Sequence, residues 1–351
     1  MLNRRTGKIC TSCCHGARNA RMQEAGSDAH TMSDSGDMPA PPSAESLGAL
    51  AKLIAPGSSV VAITPLAGSF AHYSHLLELR APAGSRTRAV VKRYAGPRDS
   101  AAAKAVLEYK TLDMLRGSGI PAPEPLYLDA SGELLGIPGI VMTQVPGRQV
   151  VSPPDFAAWA RSLARMLAQV HSVAYDPPRM EFLLDGDLEA FFFLRLGVVP
   201  ERMTAHPDGR TVWEAVQALA PSAKRARSVL IHGDYWPGNV LWRGGKVSAV
   251  LDWEDAARGN HRADVAYCRM DIAMRGLHGT ADDFLAAYEA ETGARVENLG
   301  LWELAAAVRA MPDPERWVPQ WRSFGDTTTT DESVRQDLAI FISGARRRAG
   351  L

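Results

Sequence analysis

The run Ile231-His232-Gly233-Asp234-Tyr235-Trp236-Pro237-Gly238-Asn239-Val240-Leu241, followed after a short turn by Val247-Ser248-Ala249-Val250-Leu251-Asp252-Trp253, constrains this chain more than any other stretch. Apolar residues bracket a polar loop, and the second apolar run ends on an acid. That pattern predicts two short strands that bring Asp234, Asn239 and Asp252 to one edge. Hard oxygen donors of this kind suit Mg²⁺, which takes few protein ligands, and an aspartate among them can accept a proton from a hydroxyl.

A chain of 351 residues exceeds one average domain, so two lobes are expected, each with its own core. The 39 basic and 39 acidic residues cancel. A general nucleic-acid or membrane-surface binder needs a basic excess, and neither partner is expected here. No apolar run approaches the roughly 20 residues of a spanning helix. The amino terminus carries arginines without the apolar core of a secretory signal. Of the 4 cysteines, Cys10, Cys13 and Cys14 sit near the start and Cys268 stands alone, which fits a reduced cytoplasm. The expectation is a cytoplasmic monomer or homodimer.

Residues 1–45 are rich in Gly, Ser, Asp, Ala and Pro with few large apolar side chains, and read as a disordered leader. Cys10-Thr11-Ser12-Cys13-Cys14-His15 offers metal-ligating types, but no second ligand pair follows at zinc-finger spacing. Residues 46–145 form a first lobe. Strands are expected over Val60–Ile63, Tyr73–Leu79 and Ala89–Tyr94, then a helix from Asp99 or Ser100 to Leu115, then strands at Pro125–Leu128 and Ile140–Val145. Pro146-Gly147 marks the join to a mainly helical lobe over 146–351. Ser152-Pro153-Pro154-Asp155 reads as a helix start with a serine cap. Further helices are expected over 187–196, 211–220, 262–276, 281–291, 298–310 and 331–347.

The chain resembles the aminoglycoside phosphotransferase family, a branch of the protein-kinase-like fold. His232-Gly233-Asp234 with Asn239 matches that family's catalytic loop, and Asp252-Trp253-Glu254 stands where a protein kinase has Asp-Phe-Gly. The resemblance implies an α+β fold of two lobes: a small antiparallel sheet with one main helix, which binds nucleotide, and a larger, mostly helical catalytic lobe. It implies Asp234 as the catalytic base, Asn239 and Asp252 as Mg²⁺ ligands, and ATP or GTP as the phosphoryl donor. Lys92 would contact the α- and β-phosphates with Glu108 as its ion-pair partner. The turn at Gly68 and Ser69 would cover the phosphates, and the backbone of Thr143 and Val145 would meet the purine. His232 and Asp264 would support the catalytic loop. Asn260 and His261 depart from the family's acid and proline in the segment before Asp264.

Acceptor choice belongs to residues 176–230 and to the helices after Asp264. A polycationic aminoglycoside calls for a carboxylate cluster, and the acids of the first segment are matched there by arginines and lysines. Its aromatic residues, with Trp236, Trp317 and Trp321, suit either a core or a ligand wall. A protein kinase is disfavoured because no Ala-Pro-Glu segment follows Asp252. A nucleotide-binding pseudokinase, serving as a regulatory or scaffolding protein, is the alternative from another class.

Overall fold

Alternation governs residues 59–94. In the computed structural model, which describes residues 40–66, 72–174, 176–195, 197–222 and 227–351, β1 (Ser59–Pro65) and β2 (His72–Arg80) pair antiparallel, with Thr64 opposite Leu76. In β2, His75, Leu77 and Leu79 are buried and their neighbours are half-exposed. That is the period of a sheet with one covered face. β3 (Arg86–Tyr94) instead ends in four consecutive buried residues, Val91 to Tyr94. The sheet is completed by β4 (Pro125–Asp129) and β5 (Gly139–Thr143) in the order β1-β2-β3-β5-β4.

The chain divides into two compact units. One comprises residues up to Thr87 with Val91–Val106 and Tyr127–Val141; the other comprises Arg88–Val90, Leu107–Leu126 and Met142–Leu351. The division crosses the chain several times, where the sequence reading set a single join at Pro146-Gly147.

A helix precedes the sheet where no element was expected: α1 (Ala44–Ile54) starts inside the segment read as leader. Ser43 caps it by accepting from the Ser46 amide, and Leu47, Leu50 and Ala51 are its buried face. Three small-to-medium apolar residues are enough for one helix face, but too few to stand out in a polar composition. The long helix α2 (Arg98–Leu115) matches its expected span. Its buried stripe runs through Ala101, Ala105, Glu108, Leu112 and Leu115, so a carboxylate lies in the middle of an apolar row.

The second unit is mainly helical. α3 (Phe156–His171) begins later than expected, because Asp155 is the cap and accepts from the Ala158 amide at 2.9 Å. Ser152 lies outside the helix, since residues 152–155 are not helical and Asp155 itself is extended, with φ −130° and ψ 98°. The other main helices are α4 (Gly209–Leu219), α5 (Arg262–Ala273), α6 (His278–Thr292), α7 (Leu299–Ala307) and α8 (Asp331–Arg348). The helix expected over 187–196 is shorter, Gly186–Ala190, followed by a single 3₁₀ turn. All of α7 is buried, and Glu303 within it is held by Arg269 at 2.8 Å and by Arg348 at 2.6 Å. Two small sheets frame the loop region. One orders β10 (Lys246–Val250), β9 (Val240–Arg243) and β6 (Arg148–Gln149); the other orders β7 (Leu184–Asp185), β11 (Ala257–Gly259) and β8 (Val229–Ile231).

Candidate active site

β8 delivers the chain into the loop, and Gly233 turns it. Its φ is 81°, and a Cβ at that position would collide with the Asp255 carbonyl. Only glycine fits both demands. Asp264, in the first turn of α5, then fixes the loop from below. It is 1% exposed and accepts the backbone amides of His232 at 2.7 Å and Gly233 at 2.9 Å, while His171 Nε2 lies 3.1 Å away. Burial alone would raise the pKa of Asp264; the hydrogen bond and charge of His171, together with His232, outweigh it and the net shift is downward. Tyr288 of α6 continues the network, 2.7 Å from His171 Nδ1.

His232 is fully buried. Its Nε2 lies 2.8 Å from the Leu251 carbonyl, and its Nδ1 accepts the Asp234 amide at 3.2 Å. A carbonyl can only accept and an amide can only donate, so the ring is neutral with its proton on Nε2. Burial lowers its pKa and keeps it so. Through these two bonds the ring ties the Asp234 loop to the end of β10.

Asp234 stands at the open end of this frame with its side chain 23% exposed. Asn239 Nδ2 donates to its carboxylate and to its carbonyl, both at 2.9 Å. The Tyr267 hydroxyl also donates to the carboxylate, and Arg309 Nη2 lies 3.6 Å from Oδ1. Desolvation pushes the pKa of Asp234 up to about 7, with Asp252 and Asp255 adding to the rise and Arg309 opposing it.

The donor set suits a hard divalent cation. The amide nitrogen of Asn239 is engaged by Asp234, which leaves its side-chain oxygen as the available ligand atom. The Leu251 amide donates to the Asn239 carbonyl at 2.8 Å, linking the two segments that carry Asn239 and Asp252. Asp252 has a φ of 67°, a left-handed conformation that aspartate tolerates better than most residues but still at a cost. The charges of Asp252 and Asp255 both raise the proton affinity of Asp234, and a cation relieves such repulsion.

The remaining expected residues are placed as follows. Glu108 is 1% exposed and accepts the Trp253 amide at 3.2 Å, so it braces the residue after Asp252. Lys92 is 2% exposed in β3, its Nζ 5.0 Å from the centre of the Tyr94 ring. The Thr143 amide donates to the Glu124 carbonyl at 2.9 Å, whereas the backbone of Val145 makes no hydrogen bond among the described residues. Gly68 and Ser69 lie outside the described residues, as does the Cys10–His15 cluster. Asn260, one of the departures from the family pattern, accepts the Arg262 amide on its side chain at 3.1 Å and so starts α5 as a local turn. Tyr267 and Arg309 were missed. Tyr267 follows Asp264 at i+3 on one helix face, a spacing that could have revealed it. Arg309, which also donates to the Gly233 carbonyl at 2.5 Å, comes from beyond α7 with no local signal.

A five-stranded sheet with one long helix, followed by a helical unit that holds an Asp-loop-Asn and a strand-end Asp, is a protein-kinase-like fold. The chain belongs to the phosphotransferase enzyme family, whose model matches residues 69–299. It is 29% identical over 196 residues to the chicken (Gallus gallus) acyl-CoA dehydrogenase family member 11, covering 52% of this chain and 25% of that one. It is 25% identical over 221 residues to viomycin phosphotransferase of Streptomyces vinaceus, covering 60% and 74%. The chain thus spans a quarter of one relative and about three quarters of the other. The fold is also that of a thermostable mutant of aminoglycoside phosphotransferase APH(4)-Ia in a ternary complex with AMP-PNP and hygromycin B, with a TM-score of 0.56, 12% identity, and coverage of 87% of this chain and 98% of that one. No helix among the described residues is long and apolar enough to cross a membrane.

Proposed function

We propose that this chain moves the γ-phosphoryl group of ATP or GTP to a hydroxyl of a small molecule. The observation that carries the reading is the placement of Asp234: an accessible carboxylate on a loop pinned at both sides, hydrogen-bonded to Asn239, with Asp252 on the adjoining strand end. In this reading Asp234 orients the acceptor hydroxyl and takes its proton. The hydroxyl oxygen forms the new bond to the γ-phosphorus, the bond from that phosphorus to the β–γ bridging oxygen breaks, and the products are a phosphomonoester and a nucleoside diphosphate. Mg²⁺ held by Asn239 and Asp252 would neutralise the phosphate oxygens.

The other residues supply position. Residues 46–145 bind nucleotide and residues 146–351 bind the acceptor. Lys92 contacts the α- and β-phosphates with Glu108 as its partner, Gly68 and Ser69 cover them, and the purine edge meets the hinge at Thr143 and Val145. The unengaged backbone of Val145 supports that last assignment. His232 and Asp264 keep the loop in register. The related viomycin phosphotransferase and the hygromycin B complex of a protein with this fold support a small hydroxylated acceptor. We place the enzyme in the cytoplasm, where nucleoside triphosphates are supplied, as a monomer or homodimer.

The test is phosphate transfer from labelled ATP and GTP to a library of hydroxylated metabolites and antibiotics, with and without Mg²⁺. Asp234→Ala should abolish transfer and leave nucleotide binding nearly intact. Transfer by that variant at the wild-type rate would show that another group is the base. Nucleotide binding without turnover on any acceptor would instead favour a pseudokinase.

A further inference from the structure

The surroundings of Asp234 contain charge that the phosphotransfer reading leaves unused. Three arginines converge at the C-terminal end of α7. Arg309 donates to the Gly233 carbonyl at 2.5 Å, stacks with its Cζ 4.3 Å from the centre of the Tyr267 ring, and keeps its side chain 37% exposed. Arg316 donates to the Arg309 carbonyl at 2.7 Å and is half-buried. Arg202 donates to the carbonyls of Val308 at 2.7 Å and Met311 at 2.6 Å. Among the described residues neither Arg202 nor Arg316 has a carboxylate within ion-pair distance, and Arg309 has only Asp234.

The close company is unfavourable for Arg202. Burial, then the charges of Arg316 and Arg309, push the pKa of Arg202 down to about 10. Capping the carbonyls at the end of α7 accounts for one guanidinium there. It does not account for three, nor for the solvent-facing side of Arg309 and Arg316. A hydroxyl that donates to Asp234 Oδ1 also comes close to Arg309, whose Nη2 lies 3.6 Å from that oxygen. A guanidinium presents a planar fork that matches a carboxylate or phosphate in two parallel hydrogen bonds. An amine there would meet like charge, and a neutral polyol would offer the guanidinium fork no charge to match.

We propose that the acceptor carries an anionic group, a carboxylate or a phosphate, which docks on Arg309 and Arg316 while its hydroxyl faces Asp234. This rests on the phosphotransferase reading and narrows its substrate class away from polycationic antibiotics. Arg309 and Arg316 are then specificity-determining residues. Tyr267 backs Arg309, and the half-buried Trp317, whose ring centre lies 6.1 Å from that of Tyr267, extends the aromatic wall beside them.

The experiment offers the full-length protein Mg²⁺-ATP and four acceptor classes of similar size: hydroxy acids, alcohol phosphates, neutral polyols and polyamino alcohols. Transfer should be confined to the first two, and their comparison tells carboxylate from phosphate. Arg316→Gln should raise KM for the accepted anion roughly 10- to 100-fold, as expected when one charged hydrogen-bonding partner is lost, with KM for ATP within about twofold. Arg316→Lys, which keeps the charge but not the fork, should fall between. A polyol or polyamino alcohol as the best acceptor overturns the proposal, as does an Arg316→Gln variant with unchanged acceptor KM, which would reduce the cluster to a helix cap. Transfer to none of the four classes, with nucleotide still bound, instead defeats the phosphotransferase reading on which the proposal stands.

Discussion

Two aspartates of this site, Asp234 and Asp264, meet opposite fates. Asp264 lies beneath the loop, almost fully enclosed, and is kept ionised by two backbone amides and His171. Asp234 is more open, yet its pKa rises to about 7 because burial of the site and two further carboxylates outweigh the help of Arg309 and Tyr267. Depth therefore does not decide which acid stays charged. The balance between the donors aimed at it and the carboxylates beside it does. The lower acid is a structural anion, and the upper one is poised to exchange a proton.

The sharpest way to break this comparison is to exchange the consequences of the two acids. Asp234→Asn should cost on the order of 10²–10⁴ in transfer rate, with unfolding free energy unchanged or slightly increased, since a strained charge is removed. Asp264→Ala should do the reverse first, losing about 3–5 kcal/mol of stability because buried donors and His171 lose their acceptor. Urea titration of both variants beside phosphate transfer would show whether the roles are separable. Equal destabilisation by both changes would end the distinction.

A smaller effect concerns His261, which stacks near Tyr288 and His171. Burial, then the charges of His171 and Arg262, lowers its pKa to about 4. The folded protein thus resists a proton that the unfolded chain accepts below about pH 6.5. The stability this neutral ring permits is complete above that pH and declines as pH falls towards 4, by roughly 1–3 kcal/mol at most. His261→Gln should flatten that stretch of the pH–stability curve. A wild-type curve already flat between pH 7 and 4 would contradict it. The smallest change is Tyr288→Phe, which removes one hydrogen bond to His171 and should lower stability by about 1 kcal/mol, with transfer reduced less than by any change at Asp264 itself.

The comparison also explains what could be read from the chain. The loop and strand-end acid were legible because their chemistry is local: glycine for a left-handed turn, asparagine five positions after the aspartate, an acid closing an apolar run. The five strands and α2 were legible through alternation and through the glycine-rich stop after Leu115. What failed had causes elsewhere. α1 hid in a polar composition because three residues, Leu47, Leu50 and Ala51, suffice to bury it. The cap of α3 is Asp155 and not Ser152, a choice between two good capping residues that local composition does not make. Arg309 reaches Asp234 from the turn after α7, and no spacing within one segment encodes a meeting between segments. Glu108 was noticed for one partner, while its bond to the Trp253 amide depends on tertiary packing.

Arg309 also bears on how such an enzyme could change over time. Its guanidinium touches both the Gly233 carbonyl and the Asp234 carboxylate, so any replacement that alters what the site accepts also disturbs the residue that performs the chemistry. Arg316 touches neither and reaches the site through the Arg309 backbone. Drift in substrate preference is therefore cheapest at Arg316 and most constrained at Arg309. In a laboratory lineage selected on a new acceptor, early substitutions should gather at the former, while the latter stays arginine until the loop around Asp234 has acquired another support.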